Sequence, residues 1–415
     1  MAFDLIIRNA RLEDDGLPVD IGIRDGKIHS IGDVKGDGSE VRHINARNNL
    51  VMPGFVNSHT HLDKADLLSQ MKPFQFGGTL EQNRKLIREF KENYTIAGIK
   101  ERAGRVVKEM VRHGITAIRT QVDVDPTAKL LPVIAISELR KEYIDTVHIE
   151  ICAFPQEGVL KPGAVELLEQ ALGSGADLLG GLPLVEKSEI EQKKHIDILF
   201  EMAKKFGVDL EVQLDESNDP KDFMLPYLAE KTIKEGYQGK VSATHCISLS
   251  KVDDEIASEV IKKLKEAEIN VIVTPSCNLI TRFPELKASR PYNSITRVPQ
   301  LVEDGVNVAM GTDNVRDIFY PLGNGSMIRE MHVLATTTRM TRIEDVDHIF
   351  DIGSLNGAKI LGLDYGVSVG RSADLVVANS TTKRGVISGQ EAIPYIVKNG
   401  HVISQSELII QEFPF

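Results

Sequence analysis

The chain has 415 residues, 42% hydrophobic and 26% charged, an ordinary globular composition that argues against a disordered chain and leaves room for a barrel of roughly 250 residues plus a smaller unit. A formal charge of -11 without clusters of Lys and Arg among aromatic residues argues against a nucleic-acid partner, and no apolar run approaches the roughly 20 residues of a membrane span. The early Asp4 and short apolar start do not read as a signal peptide, while Cys152, Cys246 and Cys277 form no paired framework and suit free thiols, so a cytoplasmic protein is expected.

In chain order, residues 3–51 show short strands broken by turns: Leu5 to Leu12, Ile21 to Arg24, the hairpin turn Asp25-Gly26, then Ile28 to Ile31. The end of the chain has the same texture, with Ala373 to Ala378, Ile393 to Lys398, the turn Asn399-Gly400, and His401 to Ile403. The two ends are expected to pair as one composite β-sandwich, residues 1–52 with 365–415.

Between them, short apolar runs alternate with longer amphipathic segments, which predicts βα units and a parallel sheet. The expected strands are Gly54 to Asn57, Ala117 to Val122, Ile149 to Ala153, Leu178 to Leu182, Asp209 to Leu214, Val241 to His245, Asn270 to Thr274 and Asn307 to Met310. Helices are expected over Glu81 to Val111, Ala164 to Leu172, Glu189 to Phe206, Asp254 to Ala267 and Met327 to Thr336. Eight such strands predict a (β/α)8 TIM barrel over residues 53–364.

The site of such a barrel lies at the C-terminal ends of its strands. There the sequence places His59 and His61, Gln156 and Glu157, Gln213, Asp215 and Glu216, His245, then Asp313 and Asn314. His59 and His61 project from one side of a strand, because strand side chains repeat with period two. Two imidazoles and the Asp313 carboxylate can hold a divalent metal with one position left for water. Such an ion makes hydroxide available near neutral pH. Glu216 is the candidate to carry a proton from that water to a leaving nitrogen; His245 is a candidate to orient the water, stabilise the oxyanion, or bind metal.

The sequence resembles the amidohydrolase superfamily, and within it the cytosine deaminase branch. The residues that carry the resemblance are Pro53 to Lys64, Ala153-Phe154-Pro155-Gln156-Glu157-Gly158, Asp215-Glu216, Ala243-Thr244-His245, and Gly311-Thr312-Asp313-Asn314 running on to Tyr320-Pro321-Leu322-Gly323. The resemblance implies one divalent metal, zinc or iron with manganese open to the same ligands, and a small-molecule N-heterocycle as substrate. It implies that Gln156 reads the edge of the ring, that Glu216 shuttles protons, and that Asp313 both ligates metal and draws a proton from water. Gly180-Gly181-Leu182-Pro183 offers no lysine of the kind that bridges two metals in other members. Members commonly associate, so a homo-oligomer is compatible with the reading.

Three positions depart from the branch. Gln213 stands where a metal-binding His is usual, Gln121 where cytosine deaminases tend to carry His, and Asn314 where a second acid follows the metal-binding Asp; the aromatic expected over the ring is Phe319. The expected function is hydrolytic deamination of a cyclic amidine in a pyrimidine, pterin, triazine or creatinine-like ring. Hydrolysis of a cyclic amide or an N-alkylamine is the second reading, and a ring-binding protein impaired by Gln213 is the third.

Overall fold

The computed structural model describes residues 3–35, 41–72, 78–280 and 294–407. Near the N-terminus, strands β1 (Leu5–Ala10), β2 (Val19–Arg24), β3 (Lys27–Gly32) and β4 (Arg42–Asn45) form a sheet in the order β3-β2-β1-β4. Asp25-Gly26 makes its hairpin turn with φ of 51° and 74°. Both residues take left-handed backbone, as a two-residue hairpin loop of this hand requires.

Strand β5 (Val51–Pro53) leads through Gly54 into the barrel. The barrel strands are β6 (Phe55–Thr60), β7 (Ile115–Asp123), β8 (His148–Phe154), β9 (Leu178–Gly181), β10 (Leu210–Leu214), β11 (Val241–His245), β12 (Asn270–Val273) and β13 (Val308–Met310). Each pairs in parallel with the next. The eight-stranded parallel sheet expected from the βα alternation is therefore present, curled into a TIM-barrel fold.

The barrel closes between its first and last strands through few backbone contacts. Asp313 N–H donates to the His59 carbonyl at 2.9 Å, and the Asn57 side chain both accepts from Thr312 N–H at 3.0 Å and donates to Thr312 Oγ1 at 2.8 Å. Gly311 makes this approach possible, because a Cβ there would lie 2.3 Å from the His59 carbonyl oxygen. The seam runs through His59 and Asp313 themselves.

Strands β14 (Leu375–Val377), β15 (Tyr395–Lys398) and β16 (His401–Gln405) complete a second four-stranded sheet, order β16-β15-β14-β5. Ile7, Ile21, Val51, Leu375 and Val397 share one buried cluster drawn from both terminal sheets. Pairing of β5 with β14 ties the strand that precedes His59 to the end of the chain.

The helix expected over Glu81 to Val111 is two helices, α1 (Leu80–Lys91) and α2 (Ile96–Arg112). Thr95 starts the second with its side chain accepting from Gly98 N–H, an N-cap that stops a continuous helix here. Residues 73–77, just before α1, lie outside the described residues. Among the described residues no helix is long and apolar enough to cross a membrane.

Candidate active site

His59 is the penultimate residue of β6, and His61 directly follows its last residue, Thr60. His59 Nε2 lies 3.7 Å and His61 Nε2 3.4 Å from Asp313 Oδ1, and the donor atoms of these three buried residues all fall within 4.8 Å of one another. Gln213, on the inward face of β10, presents its amide to both imidazoles, Nε2 at 3.5 Å from His59 Nε2 and 3.3 Å from His61 Nε2. Turning that amide by 180° puts Oε1 in the same place, giving two nitrogen and two oxygen donors around one point. That donor set suits a first-row divalent ion.

The tautomers follow from the partners. His59 Nδ1–H donates to Glu211 Oε1 at 2.5 Å, which turns Nε2 toward Asp313. A carboxylate behind a ligating histidine fixes its ring and raises its basicity. Burial works against charge on His59, but its contacts with Asp313 and Glu211 outweigh burial and raise it to about 9. Burial also opposes ionisation of Asp313, yet the contact with His59 and the nearby imidazoles hold it well below the usual carboxylate range. His61, by contrast, is pushed well down by burial and by Lys64.

Glu211 is held in turn by Arg119, Nη1 to Oε2 at 3.2 Å, and Arg119 Nε donates to Glu150 at 2.5 Å. A chain of buried charge thus runs down the barrel axis from the metal ligands. Neither Glu211 nor Arg119 carries a site motif in the sequence; period-two alternation puts Glu211 on the same strand face as Gln213, and only closure of the barrel turns that face inward.

His245 Nδ1 meets Thr274 Oγ1 at 3.1 Å and Asn278 Nδ2 at 3.0 Å. With the Asn278 amide N–H donating to Nδ1, a neutral His245 carries its proton on Nε2. Nε2 lies 4.0 Å from Glu216 Oε2. Asp215, His245 and Asp313 all have φ between 54° and 75°. A left-handed residue at each of three strand ends bends the chain sharply, at a cost of order 1 kcal/mol apiece.

Glu216, His245, Gln156, Asn314 and Phe319 line one cavity of about 460 Å³ together with His61, Gln213 and Asp313. Neighbours in sequence do not share this placement. Asp215 turns away to accept from Met224 N–H at 2.7 Å and Leu225 N–H at 3.0 Å, capping the next helix. Glu157 pairs with Arg88 on α1. Gln121 is fully buried on β7 and is not among the cavity-lining residues.

Lys64, Asn83 and Arg84 also line the cavity, and sequence reading gave them no role. Buried Lys64 donates to Asp123 Oδ1 at 2.6 Å and to Gln156 Oε1 at 3.0 Å. Its bond to Oε1 leaves the Gln156 amide N–H groups free to donate elsewhere. Asp123 also pairs with Lys91, which bonds Asp125 at 2.7 Å. His61, Asp63 and Asp123 form a second group of close donor atoms, but these two ammonium groups already balance Asp123. Burial and the Asp123 charge raise Asp63 to about 6, so this cluster is a structural ion network.

Residues 50–404 match the amidohydrolase family. The chain belongs to that family. It is 32% identical to the N-isopropylammelide isopropyl amidohydrolase of Pseudomonas sp. (strain ADP), over 98% of this chain and 99% of that protein. It is 26% identical to the pterin deaminase of Rhizobium rhizogenes, over 94% and 89%. Among solved structures, the 5-methylcytosine deaminase from Klebsiella pneumoniae liganded with 5-fluorocytosine superposes with a TM-score of 0.92 at 28% identity, covering 99% of both chains. Amidohydrolases are metal-dependent, and His59, His61 and Asp313 supply candidate ligands here.

Proposed function

We propose that this amidohydrolase releases ammonia from a cyclic amidine of an N-heterocycle, a pyrimidine-, pterin-, triazine- or creatinine-like ring. The observation that carries the reading is that His59, His61 and Asp313 converge on one point and that two of them, His61 and Asp313, line the same cavity as Glu216 and Gln156. His59, His61, Asp313 and Gln213 through Oε1 would hold one ion of zinc, iron or manganese. When bound, that ion supplies Lewis acidity and lowers the pKa of water toward about 7.

The chain's own groups do the rest. Asp313 and Glu216 are the carboxylates that take up the two protons of the attacking water, and Glu216 delivers one to the ring nitrogen and the other to the departing amine. His245 offers its Nε2–H to the oxygen on which negative charge develops. Gln156, oriented by Lys64, donates an amide N–H to the ring edge, while Asn314 and Phe319 bound the ring. In this reading residues 53–364 carry catalysis, and 1–52 with 365–415 form a sandwich that anchors β6.

Release of an alkylamine in place of ammonia is the second reading, favoured by the 32% identity to a protein named as an isopropyl amidohydrolase. Assaying metal-loaded protein for ammonia and isopropylamine on cytosine, pterin and N-isopropylammelide separates the two. Glu216→Gln is expected to lower whichever release is found by about 10²–10⁴-fold with metal retained. Undiminished release in that variant would refute the role of Glu216.

A further inference from the structure

We infer that the substrate carries a negative charge, as an ionised ring oxygen or a carboxylate, on the edge facing α1, and that Arg84 receives it; this rests on the cavity being the substrate site. Asn83 and Arg84 bring α1 to the cavity wall. Arg84 Nε is buried and has no hydrogen-bond partner among the described residues. An orphaned buried donor on a cation is costly, and an arriving carboxylate or oxyanion matches the planar donor fork of a guanidinium.

The other charged lining residues have neighbours of their own: Lys64 is held by Asp123 and Gln156, Asp313 lies against His59 and His61, and Glu216 Oε2 lies 4.0 Å from His245 Nε2. Arg88, which does not line the cavity, takes up Glu157. Among the described lining residues the carboxylates are Glu216 and Asp313 alone. Asn314 is a neutral amide whose Nδ2 donates to Asp317 at 2.5 Å, so it adds no charge to the lining. Burial lowers Arg84, while Glu216, Glu157 and Glu81 act on it through space in the opposite sense. A cavity of about 460 Å³ lies within the roughly 300–1,000 Å³ of small-molecule sites and has room for a substituent beyond a bare ring.

The test uses two matched pairs of probes, cytosine against cytosine-5-carboxylate and pterin against pterin-6-carboxylate. Binding is measured by calorimetry on metal-loaded Glu216→Gln protein, so that turnover does not consume the probe. In at least one pair the carboxylate is expected to bind about tenfold more tightly than its neutral parent. Adding Arg84→Met should bring that pair to near-equal affinity, and Arg84→Lys should keep part of the preference, with thermal melting confirming that both variants fold. Equal binding within both pairs, a preference that survives Arg84→Met, or no binding of any probe would overturn the inference. Amine release by the protein with Glu216 intact is scored separately. A charge preference without amine release would refute the proposed reaction and leave the role of Arg84 standing; amine release without the preference would do the reverse.

Discussion

Between the terminal sheets, Ile7, Ile21, Leu375 and Val397 meet in a buried apolar cluster, whereas along the barrel axis Arg119, Glu211 and His59 are equally hidden from water and hold one another by charge. The first arrangement stabilises through apolar area removed from water, roughly 25 cal/mol per Å². The second recovers little, because desolvating a buried ion pair offsets most of its attraction. What the axial charges provide is geometry: Arg119 fixes Glu211, Glu211 fixes the His59 ring, and His59 faces Asp313. One interior holds the chain together, and the other holds a site in place.

Removing one member of each interior breaks the comparison in different ways. Arg119→Met leaves buried Glu211 and half-buried Glu150 without that cation, and a loss of about 3–5 kcal/mol is expected, together with weaker metal binding because Glu211 is held less firmly behind His59. Urea unfolding and metal titration of the same preparation check both effects. Leu375→Ala, in the terminal cluster, should cost about 2–4 kcal/mol through the cavity it leaves. At a temperature where the variant is folded, its metal content and kcat/KM should match those of the unaltered protein. If Leu375→Ala lost metal as readily as Arg119→Met, the division between the two interiors would be wrong.

The same contrast explains what was legible in the sequence. Apolar alternation and the turns Asp25-Gly26 and Asn399-Gly400 announce the terminal strands, because the pattern and the backbone requirement are both local. His59, His61, Gln213 and Asp313 were legible as polar groups ending apolar runs. Glu211 was not, since a single acid inside a strand looks like a solvent-facing residue until a barrel closes around it. Asp215 and Glu216 are adjacent, and only the turn to Met224 and Leu225 shows which of them faces the cavity. The break at Thr95 carried a local N-cap signal that amphipathic spacing across it concealed. Arg84 had no local signal, because α1 reads as an ordinary amphipathic helix and only tertiary packing brings that residue to the cavity.

The most direct test of the account is the metal content, by elemental analysis, of protein purified without chelator, with His61→Ala prepared in parallel. Close to one equivalent of zinc, iron or manganese per chain is expected, with near-complete loss in the variant. Protein that contains no divalent metal yet releases amine from a ring substrate, or that keeps its metal in His61→Ala, would contradict it.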